Sequence, residues 1–174
     1  GITIVYYIGI ADDVIGLSYK SKFIYQFLAV ILLVLPLNYI SDWQGIFGVY
    51  HIPAWIGIPF TVVLIVALIN SFNLIDGVDG LCAGLSMISL ALLSGLCIHT
   101  GNIYLALLGI CALGVLAVFF FYNVFGRRMK IFMGDSGSLL LGYLIAFMAL
   151  EVVVNMQQHT TPDYVTLVSI LGIV

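Results

Sequence analysis

Long apolar runs alternate with short polar segments along the chain. The apolar runs cover residues 2–10, 23–40, 54–69, 81–98, 103–121, 139–154 and 164–174. A bilayer crossing takes roughly 20 apolar residues in helical form, and the five internal runs approach that length. The pattern therefore predicts an all-α fold, a polytopic transmembrane helix bundle forming a single membrane domain over 1–174. The runs at 2–10 and 164–174 are about half a crossing each, so the expected chain is a fragment truncated inside a spanning helix at both ends. No charged segment precedes the first run, so it does not read as a signal peptide. Pro59 marks an expected kink in the third run.

Composition supports this reading. Hydrophobic residues make up 63% of the chain and charged residues 7%, and the mean hydropathy is +1.24. Soluble domains are about a quarter charged, and so few charges could not cover a soluble surface. No basic tract points to nucleic acid. Cys82, Cys97 and Cys111 lie in apolar runs without C-x-x-C spacing, which suits small core residues better than a disulfide framework or a zinc site.

Counting crossings assigns the polar segments to two sides. "ADDVIGLSYKSK" (11–22), "NSFNLIDGVDG" (70–80) and "YNVFGRRMKIFMGDSGS" (122–138) fall on one side; "SDWQGIFGVYHIP" (41–53), "HTGN" (99–102) and "NMQQHTTPD" (155–163) fall on the other. Lys20, Lys22, Arg127, Arg128 and Lys130 all lie on the first side, which the positive-inside rule makes cytoplasmic. Trp43, Tyr50 and Trp55 fall at the opposite interface, as an aromatic belt does. Asp12, Asp13, Asp76, Asp79 and Asp135 all share the cationic side, while Asp42 and Asp163 read as solvated helix ends at the other.

Asn70, Asn73, Asp76 and Asp79 recur every third residue. On a straight α-helix each step of three drifts by about 60°, so a helix ending near Asn73, followed by a turn at Gly77 and Gly80, is expected to keep them together. Acidic residues at membrane depth mark a functional site by default. Clustered carboxylates repel unless they take up protons or share a cation. All-oxygen ligands suit Mg²⁺ or Mn²⁺, and Mg²⁺ is commonly held by one or two carboxylates together with substrate phosphates. The basic residues at the same face favour an anionic substrate, or simply enforce orientation.

"GIADDVIGL", "NSFNLIDGVDGL" and "KIFMGDSGS" resemble, in order, the three acidic motifs of the polyprenyl-phosphate N-acetylhexosamine-1-phosphate transferases. The resemblance covers about Ile8 to Leu150. Gly16 and Leu17 stand where the muramoyl-pentapeptide branch carries a lysine, so the chain looks like the branch that transfers N-acetylglucosamine-1-phosphate. The resemblance implies a Mg²⁺-dependent enzyme of the bacterial inner membrane, working at the cytoplasmic face. Undecaprenyl phosphate would attack a UDP-sugar and UMP would leave, with a second copy of the chain left open as a partner. Carried over by motif, Asp135 resembles the metal ligand, with Asp76 beside it, and Asp12 and Asp13 the pair near the lipid phosphate. Asn70, Asn73, Asp76 and Asp79 resemble the set facing the nucleotide sugar and the metal. Phe132 would lie near the uracil ring and Asn123 near its edge. The family's histidine motif is expected beyond Val174.

Two other classes fit parts of the pattern. "GDSG" at 134–137 matches a serine nucleophile signature, but His51, His99 and His159 count to the face opposite Ser136, and such a serine needs an adjacent histidine. Ser136 and Ser138 read instead as turn and capping residues before the next span. An aspartate-based transporter places its acids near the midplane, whereas here they count to one face.

Overall fold

The computed structural model describes residues 1–36, 39–43, 48–126, 131–158 and 172. The described chain is helical: α1 Ile2–Ile15, α2 Tyr19–Val34, α3 Ala54–Ile75, α4 Leu81–His99, α5 Ile103–Phe125 and α6 Gly134–Gln158. Among the described residues there is no β-strand, only an isolated bridge between Asp42 and His51. The helices α3, α4, α5 and α6 are long and apolar enough to cross a membrane. With the composition, this makes the chain a multi-pass membrane protein. The apolar run at 164–171 and the basic residues Arg127, Arg128 and Lys130 lie outside the described residues.

The helix boundaries depart from the hydrophobic runs where local chemistry overrides hydropathy. Helix α2 stops at Val34, with Leu35 as its cap, although the apolar run continues to Ile40. Pro36 follows directly, and a proline disfavours helical conformation in the residue before it. At the other extreme, the polar segment 11–22 is mostly helix. Asp12 and Asp13 lie in the last turn of α1. Gly16, with φ of 65°, takes the left-handed conformation that ends it, at no steric cost for glycine. Ser18 then caps α2, its side chain accepting the Ser21 N–H at 3.3 Å. The two helix ends are thus held by a tight turn, with Lys22 on α2 facing Asp12 on α1.

Helix α6 is the central element. It packs against α1, α3 and α4, while α5 packs chiefly on α4. Of its membrane-length window 72% is buried within the protein, against 22% for α5. Close approach is made possible by small residues: a Cβ on Gly9 of α1 would overlap the backbone of Ser136 on α6. At one end of the bundle Gln157 of α6 accepts hydrogen bonds from Ser41 N (3.3 Å) and Oγ (3.0 Å) and donates to the Asp42 carbonyl (3.1 Å). The other end gathers the acidic segments. Among the described residues, Asp12, Asp13, Asn73 and Asp135 thus share one end of the bundle. The cysteines Cys82, Cys97 and Cys111 are free thiols.

Candidate active site

Three helices that are distant in sequence meet at the acidic end. Asp12 comes from the last turn of α1, Asn73 from the last turn of α3, and Asp135 from the first turn of α6. Their oxygens converge on one ammonium group. Lys22 Nζ lies 2.8 Å from Asp12 Oδ2 and 2.8 Å from Asp135 Oδ2, and donates to Asn73 Oδ1 at 3.0 Å. Asn73 Nδ2 in turn donates to Asp135 Oδ1 at 2.7 Å and to Ser138 Oγ at 2.9 Å. The other Asp12 oxygen accepts the Leu17 N–H at 2.7 Å. Burial works against the Lys22 charge, but hydrogen bonds with Asp12 and Asp135 outweigh it and hold its pKa above the ordinary 10.5.

Asp13 acts on the backbone. Its Oδ1 accepts the Asp135 N–H at 2.8 Å and its Oδ2 the Ser136 N–H at 3.0 Å. These amides open α6 and have no partner within the helix, so Asp13 caps α6 from a different helix. This explains why "GDSGS", read in sequence as a turn with capping serines, is the first turn of α6. The carboxylate supplies the cap, and Ser138 Oγ donates to the Gly134 carbonyl at 3.0 Å. Burial opposes the Asp13 charge, but the Ser136 and Asp135 donors prevail and keep its pKa below 3.8.

Asp76 caps the C-terminus of α3, so that helix runs slightly past the end expected near Asn73. Burial, followed by repulsion from Asp135 and Asp13, raises the Asp76 pKa above 3.8. Asp79 is exposed in the turn after α3. Asn70 shows the helical drift: it faces α2, where Nδ2 donates to Gln26 Oε1 at 2.6 Å and Gln26 is fully buried. Asn123, also buried, joins two loops. It accepts the Gly80 N–H at 2.6 Å and donates to the Ile131 carbonyl at 2.8 Å. Phe132 precedes α6 and is 74% exposed, and with Met133, Leu116 and Leu144 it lines an apolar groove of about 530 Å³.

Sequence reasoning placed Lys22 among five interchangeable cations; the structure singles it out. The available signal was its position one helical turn before Gln26, a lone amide in an apolar run. Gln26 itself was missed, and its pairing with Asn70 sets the register that lets Lys22 reach Asn73.

Residues 1–153 match the family model described as Glycosyl transferase family 4. The chain is 37% identical over 155 residues to the "Probable undecaprenyl-phosphate N-acetylglucosaminyl 1-phosphate transferase" of Bacillus subtilis (strain 168), a match covering 86% of this chain and 42% of that protein. It is 32% identical over 149 residues to the "Undecaprenyl-phosphate alpha-N-acetylglucosaminyl 1-phosphate transferase" of Escherichia coli (strain K12), covering 83% of this chain and 41% of the relative. The matched region is thus about two fifths of the length of these relatives. The family match contains all three acidic segments and the helices that bring them together, and the chain belongs to glycosyl transferase family 4.

Proposed function

We propose that this chain carries the acidic rim of a membrane enzyme that transfers a sugar-1-phosphate, N-acetylglucosamine-1-phosphate, from a UDP-sugar to undecaprenyl phosphate. The rim faces the cytoplasm of a bacterial inner membrane, where a soluble nucleotide sugar is available and the basic residues of the same side fall by the positive-inside rule. One observation carries the reading: Asp12, Asn73 and Asp135, from three separate motifs, surround a single positive charge. The names of the similar proteins supply the substrate class.

The donor set suits Mg²⁺ or Mn²⁺. It consists of carboxylate and amide oxygens, which hard divalent ions prefer, and these already neutralise a cation. Among the described residues, no three His, Cys, Asp or Glu side chains group closely enough to hold a metal by themselves. Asp135 would hold the ion, with Asp12, Asn73 and Asp76 near it and substrate phosphates completing its shell. Once bound, the ion would screen charge on the diphosphate and on departing UMP.

In the reaction an oxygen of the lipid phosphate attacks the β-phosphorus of the UDP-sugar. The bond from that phosphorus to the bridging oxygen breaks, and UMP leaves with the electron pair. A phosphate monoester has a second pKa near about 6, so the acceptor is largely dianionic at neutral pH and needs no strong base. Bringing two anions together is the main difficulty, and positioning with charge neutralisation dominates such transfers. Asp12 serves that electrostatic task, since both of its oxygens are already engaged. Asp13 holds the start of α6, and so Asp135, in place. By motif position, Phe132 would lie near the uracil ring and Asp79 would face the nucleotide sugar. Asn70 and Asn123, substrate-facing by motif position, also hold helices and loops together.

The test is UMP release by the full-length protein supplied with UDP-N-acetylglucosamine, undecaprenyl phosphate and Mg²⁺. Release that stops on chelation is expected. Ion uptake into proteoliposomes with no UMP release would replace the enzyme reading with a transporter.

A further inference from the structure

The Lys22 side chain is 14% exposed, and its ammonium lies within 3.0 Å of oxygens from Asp12, Asn73 and Asp135. Those are the oxygens proposed above to serve a divalent ion. Mg²⁺ binds oxygen at about 2.0–2.1 Å and demands near-octahedral geometry, so an ammonium at hydrogen-bond distance from the same atoms occupies its place. A dication brought into that space would face a fixed positive charge at contact range. Lysine can yield: its head is a point charge on a flexible four-carbon stem. The loops around it are held independently, α1 to α2 by the Gly16 turn and α2 to α3 by the Gln26–Asn70 pair. The helices therefore do not depend on Lys22 for their relative positions.

We propose that Lys22 is a resident cation that competes with the divalent ion for the Asp12, Asn73 and Asp135 oxygens and is displaced when the ion binds. The inference rests on the functional reading above and adds a consequence to it. The resident ammonium offsets part of the negative charge of the acidic rim without metal and lowers intrinsic metal affinity. If the ammonium holds the donors for about nine-tenths of the time, the apparent Kd is weakened roughly tenfold.

The experiment is Mn²⁺ titration followed by electron paramagnetic resonance, on the full-length protein without nucleotide or lipid phosphate. Lys22→Met should bind Mn²⁺ about tenfold more tightly than the unaltered protein. Lys20→Met, which removes the same charge from an exposed neighbour, should change the affinity less than about twofold. Weaker or unchanged binding in K22M, or equal tightening in both variants, overturns the proposal. A second measurement needs no variant: amine-reactive labelling of Lys22, quantified by mass spectrometry, should accelerate when Mn²⁺ is added, because displacement exposes the amine. Protection or no change overturns the proposal. UMP release is measured on the same preparation. Its absence overturns the functional reading, whereas release with unchanged Mn²⁺ affinity in K22M overturns the resident-cation inference alone.

Discussion

Replacing Asp13 tests the link between fold and site most directly. Its carboxylate accepts two backbone N–H groups at the start of α6, at 2.8 Å and 3.0 Å. Loss of a side-chain cap costs about 0.5–2 kcal/mol, and a negative charge at a helix N-terminus contributes about 0.3–1 kcal/mol more. Asp13 is exposed at the rim, so solvent screening reduces the charge contribution. The total for Asp13→Ala is then about 1–2 kcal/mol. Asp13→Asn keeps one acceptor oxygen and loses the charge, and should cost roughly half as much. A loss of about 1 kcal/mol lowers Tm by about 2–4 °C for chains of roughly 150–250 residues, and less for longer ones.

Amide hydrogen exchange provides the local readout. In D13A the amides of Asp135 and Ser136 should exchange faster, while those in the middle of α6 keep their protection. The sign with pH follows from the lowered pKa. A carboxyl whose folded pKa lies below its ordinary 3.8 contributes stability that is present above that value and lost as pH falls through the folded pKa. The stability gap between the unaltered protein and D13N should therefore stay constant between about pH 5 and pH 9. Unchanged exchange at Asp135 and Ser136 in D13A would refute the capping argument, whatever happens to activity.

Three further outcomes follow from the same geometry. Asp12→Asn should lower UMP release by a factor that varies little between about pH 7 and pH 9, since the acceptor phosphate is already ionised there; a log rate climbing steeply over that range would identify Asp12 as a proton acceptor. Asp76→Asn should raise thermal stability in chelator while reducing turnover. The Asp76 pKa is raised above 3.8, so stability falls as pH rises from that value through the folded pKa, and the charge is a net penalty at neutral pH; a lower Tm for D76N would contradict this. Gly9→Ala forces a Cβ into the Ser136 backbone and should destabilise by about 1–3 kcal/mol with loss of Mn²⁺ binding, measured by melting and by titration; normal values for both would show that α1 and α6 tolerate separation.

The bundle was legible because hydropathy period and length depend on local sequence, and the gathering of Asp12, Asn73 and Asp135 was legible because parity is a counting property. The helix ends were not. Pro36 truncated α2 against hydropathy, and α6 began at Gly134 because its cap, Asp13, lies on another helix. A cap supplied from a distant part of the chain leaves no local signature. The same holds for the protein partners of Asn123 and Asn70, which only the packing brings near. Lys22 stood out from its neighbours only once α2 was turned toward α1 and α3.

The position of Asp135 on α6 suits the metal-assisted transfer proposed for this chain. A reacting constellation must be held to within a fraction of an ångström, and side chains on packed helices meet that requirement better than side chains on loops. Helix α6 is the most enclosed of the membrane-length helices and is tied at both ends, to Asp13 at the acidic rim and to Ser41 and Asp42 at the far one. Sliding α6 along its axis would break both ties, so Asp135 has little freedom to drift. Asp12 and Lys22 sit on shorter helices joined by a tight turn, where a lysine stem can reorient without moving backbone. The rigid acceptor of charge and the movable donor of charge therefore reside on different elements, which is the division that the proposed exchange of an ammonium for a metal ion demands.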